Sequence, residues 1–238
     1  MATTRRFFVE NIGQTAVLTG DEFSHAKNVL RLREGDEVVL LDGSGREYDA
    51  VINETGKREM LCTVLSSRPS EKEPETRVKL LLGALKGDKT EFAVQKATEL
   101  GVSEIGVFSS RYCSAYMNEN KLERLAKVAR EAAKQCLRAS VPEVEYYSSL
   151  EGALASCAGY ENKLFACEFA EKSETDLRGL KGSCALVVGS EGGFAPEEFE
   201  RARAAGFAGI SLGRRILRAE TAAVAFTAVT MFLLGELG

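Results

Sequence analysis

Two loops that each follow a short apolar run constrain the fold of this chain more than any other feature. The apolar residues 185–188 lead into residues 189–194, which read GSEGGF. A second run at residues 208–212 leads into residues 213–218, which read GRRILR. Short apolar runs that stop at glycine are typical of buried strands. The pattern predicts two strand ends that carry polar loops to the ligand-binding edge of an α/β sheet, side by side if the strands are neighbours.

Strand and helix signals alternate through the region that contains these loops. The predicted elements follow one another at residues 78–85, 88–101, 105–108, 121–138, 150–157, 163–169, 185–188, 196–206 and 208–212. Asp88 and Glu91 fit a capping box at the start of the first helix. The apolar residues 221–234 are fewer than the roughly 20 that a membrane span needs, so we predict a buried helix or an oligomer contact. This alternation predicts a mostly parallel sheet covered on both faces.

The first part of the chain has a different pattern. Short strand-like runs separated by Gly, Asn and Asp predict β structure at residues 6–10, 14–18, 37–41, 47–53 and 60–65. One helical pattern interrupts them, from about residue 21 to residue 30. Several short strands with one helix are typical of a small barrel. Residues 66–76 hold two of the four prolines and almost no apolar residues, which predicts a domain boundary.

The composition limits the classes of protein that the chain can represent. Of its 238 residues, 45% are hydrophobic and 28% are charged, as in soluble globular proteins. The formal net charge of −4 gives no global basic field, so RNA binding would require local basic patches. Six scattered cysteines without a CxxC motif, and a single histidine, His25, indicate neither a zinc site nor a disulfide framework. We therefore predict a reduced, cytoplasmic protein that uses no metal.

Taken alone, the two loops fit a structural interpretation as well as a functional one. The first loop lacks the Lys-Ser/Thr of a P-loop and the G-x-G-x-x-G of a dinucleotide fold, which argues against a generic nucleotide-binding enzyme. Glu191 lies among three glycines, where backbone can approach a ligand closely. Arg214, Arg215 and Arg218, with Glu220, fit either a binding cluster or a solvated face of salt bridges.

Longer segments resemble a known family. Residues 189–194 and residues 212–222 (LGRRILRAETA) look like the paired signature of the bacterial 16S rRNA uridine-N3 methyltransferases, which belong to the SPOUT class. Residues 25–36 (HAKNVLRLREGD), 96–102 (KATELGV) and 132–138 (AAKQCLR) are also similar to that family. The resemblance covers the chain nearly end to end, and it departs at Ser190, where the family usually carries proline. We expect this change to loosen the loop without abolishing the site.

The resemblance implies a fold, a cofactor and partners. Residues 1–70 would form a PUA-like β-barrel that binds RNA, and residues 74–238 a SPOUT α/β methyltransferase domain with a trefoil knot. The family uses S-adenosylmethionine, acts on 16S rRNA of the small ribosomal subunit and is a homodimer with no membrane association. Composition and periodicity could not have indicated the knot, because knots are very rare in proteins.

The resemblance also assigns roles to residues. Arg218 would stabilise negative charge on the uracil, and Glu220 or Glu191 would orient Arg218 or accept the N3 proton. The cofactor-binding residues would be Gly189, Ser190, Glu191, Gly192, Gly193, Phe194, Leu212, Gly213, Arg215, Ile216, Leu217, Thr221 and, in a third loop, Glu168. For phosphate contacts the candidates are Arg5, Arg6, Arg31, Arg33, Lys86, Lys89 and Arg111, each of which could equally be a solvated surface residue.

Two other functions fit the sequence. A related knotted methyltransferase would act on a ribose 2′-hydroxyl, and analysis of the methylated nucleoside would separate it from the N3 enzyme. A non-catalytic RNA-binding factor for ribosome assembly would keep the fold without binding the cofactor. The presence of both Arg218 and Glu220 argues against this second alternative.

Overall fold

The computed structural model describes residues 5–167 and 174–237, which form two compact units. The first unit runs to Glu73 and also takes in Ala133–Val141. The second comprises Pro74–Ala132 and the chain from Pro142 onwards. The segment Ala133–Val141, which the sequence places in the second domain, therefore groups with the first unit. Its Ala133 and Ala139 pack in a buried cluster with Phe8 and Leu41.

The first unit is built on a five-stranded sheet. Its strands are β1 (Arg6–Phe8), β2 (Thr15–Thr19), β3 (Glu37–Leu41), β4 (Arg46–Thr55) and β5 (Glu59–Pro69), paired in the order β1-β3-β4-β5-β2. The pairing of β1 with β3 is parallel and the other pairings are antiparallel. The helix α1 (Gly20–Ser24) continues into a π-helical turn, His25–Val29. The small β domain with one helix that the sequence predicts is thus confirmed.

The second unit is built on a six-stranded parallel sheet. Its strands are β6 (Val78–Gly83), β7 (Glu104–Phe108), β8 (Glu143–Tyr147), β9 (Asn162–Ala166), β10 (Cys184–Val188) and β11 (Ala208–Ile210). They are arranged in the order β11-β9-β10-β6-β7-β8. Every residue of the central strands β6 and β10 is buried, which explains why β10 is a continuous apolar run and why β6 is apolar except for Lys79, which pairs with Glu104. The predicted parallel α/β sheet is confirmed.

Five helices accompany this sheet along the chain. They are α2 (Lys89–Glu99), α3 (Glu119–Gln135), α4 (Leu150–Ala155), α5 (Pro196–Ala204) and α6 (Ala219–Leu233). Helix α6 packs against α2, β6 and β10, whereas α4 packs against β7, β8 and α5. Among the residues that the structure describes, no helix combines the length and the apolar character that crossing a membrane requires.

One strand was missed, the condition that β10 and β11 be neighbours is not met, and one local prediction was wrong. The strand β8 was not predicted, because its residues are only partly buried and include two glutamates. The strands β10 and β11 are not neighbours, since β9 lies between them. The capping box at Asp88 does not form: its side chain makes no capping hydrogen bond, and Thr90 Oγ1 accepts the Leu85 N–H at 3.0 Å instead.

Candidate functional site

A cavity of about 580 Å³ opens at the carboxyl ends of β9, β10 and β11. The loop after β10 and the loop after β11 both line it, although β9 separates the two strands. The carboxyl ends of parallel strands share one edge of the sheet, so an intervening strand does not prevent the loops from meeting. The residues around the cavity are Lys89, Ala166, Cys167, Val188, Gly189, Ser190, Glu191, Gly193, Phe194, Ser211, Leu212, Gly213, Arg214, Arg215, Ile216, Leu217, Arg218, Ala219 and Ala222.

The loop after β10 is a tight turn that rests against β6. Gly193 adopts φ 68° and its N–H donates to Ser190 O at 3.0 Å. At Gly83, the last residue of β6, a Cβ would lie 2.4 Å from the backbone nitrogen of Ser190. Glycine at position 83 is therefore required for the loop to take this position. The sequence analysis missed Gly83, since only the pairing of β6 with β10 brings it beside the loop.

Phe194 and Gly192 belong mainly to the packing of the loop. The Phe194 ring is 5% exposed and its centroid lies 4.3 Å from that of Phe165, in the core beneath the cavity. Gly192 does not line the cavity, and a Cβ there would lie 2.6 Å from Tyr112 Cβ. Phe194 therefore anchors the loop to the core, and Gly192 allows the loop to approach Tyr112 closely.

A buried carboxylate, which sequence reasoning did not single out as a site residue, fixes the start of α5. Glu198 is 5% exposed, and its two oxygens accept the backbone N–H groups of Ala195 and Arg111, each at 2.9 Å. The hydrogen bond from the Ala195 N–H to the Glu198 side chain is one of the two bonds of a capping box, the one between the N3 side chain and the N-cap backbone. Glu198 thus joins the loop after β10 to the loop after β7. A Glu three residues beyond the helix start is the sequence signal that could have indicated this role.

Lys89 and Glu191, which line the cavity, form a charged cluster with Glu220, which does not line it. Lys89 Nζ lies 3.3 Å from Glu191 Oε1 and 3.9 Å from Glu220 Oε1. Glu191 Oε1 also accepts the Lys86 backbone N–H at 3.0 Å. Burial acts to raise the pKa of Glu191, but the Lys86 amide and the Lys89 ammonium outweigh it and hold that pKa below its usual range. Glu220 differs, because its Oε2 is buried with no hydrogen-bond partner in the part of the chain that the structure describes.

The arginine-rich loop contributes uncompensated positive charge. Arg214, Arg215 and Arg218 are exposed, and none of them has an ion pair among the residues that the structure describes. The alternative of a salt-bridged surface face is therefore not realised in the described chain. Arg218 is the residue that precedes α6, and its carbonyl accepts the Ala222 N–H at 2.8 Å. The start of α6 therefore holds the Arg218 backbone at the rim of the cavity.

The remaining predicted cofactor residues fall in different places. Most of the set lines the cavity, as given above. Thr221 is exposed on the first turn of α6 and does not line it. Glu168 lies outside the described residues. Ser190 is 4% exposed, and its Oγ is buried without a partner.

The predicted phosphate-binding residues fall in both units, with Arg5, Arg6, Arg31 and Arg33 in the first and Lys86, Lys89 and Arg111 in the second. Arg6 donates to Glu47 Oε1 at 2.9 Å and to Leu137 O at 3.2 Å, both within the first unit. Arg5 pairs with Asp36, and Arg111 pairs with Glu197. Arg31, Arg33 and Lys86 are exposed, whereas Lys89 belongs to the cavity cluster.

Known families match both units. A family model described as an RNA methyltransferase domain matches residues 71–231, and one described as an RNA methyltransferase PUA domain matches residues 18–65. The parallel sheet, the two-loop cavity and these matches define the chain as a two-domain RNA methyltransferase.

Comparison with individual relatives identifies the family of RNA methyltransferases to which the chain belongs. The chain is 32% identical to ribosomal RNA small subunit methyltransferase E of Bacillus subtilis, over 92% of each chain. It is 34% identical to the protein of the same name from Mycobacterium bovis, over 91% of this chain and 87% of that one. A crystal structure of ribosomal RNA small subunit methyltransferase E from Neisseria gonorrhoeae, bound to S-adenosyl methionine, matches with a TM-score of 0.88 and 30% identity over 98% of each chain. The chain belongs to the ribosomal RNA small subunit methyltransferase E family.

Proposed function

We propose that this protein transfers a methyl group from S-adenosylmethionine to N3 of a uridine in 16S rRNA of the small ribosomal subunit. One observation carries the proposal: Arg218, which has no ion pair among the described residues, lines the same cavity as Lys89 and Glu191, and Lys89 also pairs with Glu220. Family membership supports the same reaction.

The residues around the cavity fit this cofactor. A volume of about 580 Å³ is in the range of small-molecule sites, which are mostly apolar with a few polar groups. Leu212, Ile216 and Leu217 supply apolar surface, and the glycine loops offer backbone groups that a nucleoside can approach closely. The unpartnered Oγ of Ser190 adds a polar group at the turn. When bound, S-adenosylmethionine supplies a methyl group on a positively charged sulfur.

Side chains at the cavity would then stabilise the negative charge that develops on the uracil. A new N3–methyl bond requires the N3 proton to leave, so negative charge develops on the base and its oxygens. The Arg218 guanidinium carries a permanent charge with no ion pair in the described chain, so it is available to stabilise this charge. Most of the remaining acceleration comes from holding donor and acceptor in line.

Glu220 is the better acceptor for the N3 proton. Glu191 has a lowered pKa, because the Lys86 amide and Lys89 outweigh its burial, and a lowered pKa makes it a weak base. Glu220 keeps one buried oxygen, Oε2, that has no hydrogen-bond partner among the described residues and is therefore open to the N3–H of the uracil. Lys89 lies between the two carboxylates and orients both of them.

The reaction is tested with small subunits from a strain that lacks this protein, incubated with pure enzyme and labelled S-adenosylmethionine. Digestion of the RNA should give label in N3-methyluridine. Label in a 2′-O-methyl nucleoside would show that the enzyme methylates the ribose and not uracil N3. A lack of both label and cofactor binding would favour an RNA-binding assembly factor.

Replacement of Arg218 tests the residue roles. Arg218→Ala should lower kcat by roughly 10²- to 10³-fold, the effect of losing one group that stabilises developing charge, while calorimetry shows unchanged S-adenosylmethionine affinity. Arg201→Ala is the matched control, since Arg201 is a surface arginine of α5 that pairs with Glu151. Near-normal turnover of Arg218→Ala would refute the assignment.

The same proposal includes a trefoil knot, a homodimer and a cytoplasmic location. Membership of the family supports the knot, and the order β11-β9-β10 makes the connection from β10 to β11 cross β9. Helix α6 supports the dimer, because it exposes Val229 and the Phe232 ring, which is 65% exposed. Sedimentation of the wild type should give a dimer mass, and Phe232→Asp should give a monomer.

A further inference from the structure

A second cavity, of about 340 Å³, lies beside the first along the same edge of the sheet. It opens between the loop after β6 and the loop after β7. Strand β6 pairs with β10 on one side and with β7 on the other, so the two cavities follow one another across neighbouring strands. Lys86 lines the second cavity, and its N–H donates to Glu191, which lines the first. The two cavities therefore share a boundary.

The loop after β7 is held against both of its neighbours. Cys113 Sγ donates to Ala84 O at 3.1 Å. On the other side, the backbone of Tyr112 approaches Gly192 so closely that a Cβ at Gly192 would lie 2.8 Å from the Tyr112 carbonyl oxygen. The close approach of Gly192 thus couples the loop of the first cavity to the loop of the second.

Aromatic, basic and apolar groups meet at this second cavity. Tyr116 lines it and is 75% exposed, and the Lys121 ammonium donates to Tyr116 O at 2.6 Å. Lys86 and Arg124 also line it, and the Arg124 side chain is 68% exposed although it pairs with Glu91. The buried Leu125 forms part of the apolar wall.

This combination suits one nucleotide of a single-stranded RNA. A base stacks on an exposed aromatic ring whatever its identity, while nearby cations contact the phosphates on either side. An exposed tyrosine that has cations but no stacking partner in the described chain offers such a platform. A small apolar ligand would make no favourable interaction with the three cations Lys86, Lys121 and Arg124. A free anion would make none with the Tyr116 ring.

The geometry points to a binding subsite for an RNA nucleotide next to the target uridine, with its base stacked on Tyr116 and its phosphates on Lys86, Lys121 and Arg124. This inference rests on the proposed function, because it assumes that the target base enters the first cavity. The subsite would hold the strand while a splayed-out uridine occupies the neighbouring cavity, as recognition of a flipped or unpaired base requires.

The kinetic test uses wild-type and variant enzyme on small subunits that lack the modification, at saturating S-adenosylmethionine. Tyr116→Ala should raise KM for the subunit by roughly 5- to 150-fold, the effect of losing one base stack, with kcat and cofactor affinity unchanged. Tyr116→Phe, which keeps the ring, should behave as wild type. Lys121→Met should reduce the slope of log KM against log salt by about one, whereas Lys127→Met, on the same helix but away from the cavity, should not.

A second readout does not depend on activity. Small-subunit RNA that carries photoactivatable 4-thiouridine is cross-linked to the full-length protein, and the cross-linked peptide is mapped. We expect the peptide that contains Tyr116 and Lys121. If the wild type transferred no methyl group but gave this cross-link, the proposed function would fail and the subsite would stand.

Two outcomes would overturn the subsite. If Tyr116→Ala left KM unchanged in an active enzyme, and the cross-links mapped only to other peptides, RNA would not bind in the second cavity. A change of oligomeric state in Tyr116→Ala would show that a second copy of the chain covers this cavity instead of RNA.

Discussion

Replacement of Glu73 by glutamine removes one charge from a carboxylate that organises the end of the first unit. Glu73 Oε1 accepts the backbone N–H groups of Ala139 and Ser140, at 2.6 and 2.9 Å. Its Oε2 accepts two guanidinium N–H groups of Arg138, at 3.2 and 3.1 Å, and the Ser140 hydroxyl. Arg138 is 4% exposed, so Glu73 is the charge that makes its burial tolerable.

The expected loss of stability follows from these contacts. A glutamine can present only one carbonyl oxygen, so either the amide pair or the Arg138 pair would face an NH₂ group. Breaking a buried ion pair by changing one partner costs about 3–5 kcal/mol. Because the Glu73 side chain keeps 18% exposure, we expect about 3 kcal/mol, near the low end. For a unit of about 80 residues this corresponds to a Tm roughly 12–24 °C lower.

The pH dependence has a defined sign. Burial acts to raise the pKa of Glu73, but the Ser140 hydroxyl, the Arg138 charge and the two amides outweigh it and lower that pKa. A carboxylate with a depressed folded-state pKa stabilises the fold above its unfolded pKa of about 4.3, and this stability is lost as pH falls through the folded pKa. The difference between wild type and Glu73→Gln should therefore be full at pH 7 and shrink below about pH 4.3.

Scanning calorimetry of the full-length chain at pH 7 and through the acid range measures both effects. Glu71→Gln is the matched control, since Glu71 is an exposed glutamate two residues away. A Tm of Glu73→Gln within 3 °C of the wild type at pH 7 would refute the reasoning. So would a difference between the two proteins that stays constant down to pH 3.

Two further predictions concern the cavity. Lys89→Met should lower kcat at least tenfold with unchanged subunit KM in the methyl-transfer assay, because Lys89 orients Glu191 and Glu220. Gly83→Ala should weaken S-adenosylmethionine binding by calorimetry on the order of 10²-fold, because the new Cβ would displace the backbone of Ser190.

Matched variants separate these effects from general loss of structure. Lys96→Met removes a lysine of the same helix that pairs only locally, with Glu99, and should leave kcat unchanged. Gly159→Ala adds a methyl group where nothing lies within 4 Å, and should leave cofactor binding unchanged. If Lys96→Met were as slow as Lys89→Met, or if Gly83→Ala bound the cofactor normally, the corresponding argument would be wrong.

Local signals were sufficient for the elements that carry the site. The continuous apolar run of β10 follows from burial on both faces. The glycine-rich loop begins where β10 ends, and the arginine-rich loop follows the end of β11. The strand β8 escaped because a partly buried strand at the edge of a sheet can carry glutamates without cost. The missing cap at Asp88 could not be predicted, because a cap depends on the backbone conformation at the helix start, and Asp88 adopts φ −90° and ψ 1° instead of an extended conformation.

The sequence by itself determined the class of each unit, the two loops and the family. Only the tertiary structure decided which side chains act together. Burial of Arg6 against Glu47, of Phe194 against Phe165 and of Glu198 on the Arg111 amide depends on contacts between residues far apart in the chain. The physical reason is that hydrophobic periodicity and turn residues specify local structure. The residues that pair with a charged side chain or approach a glycine depend on which strands are neighbours in the sheet.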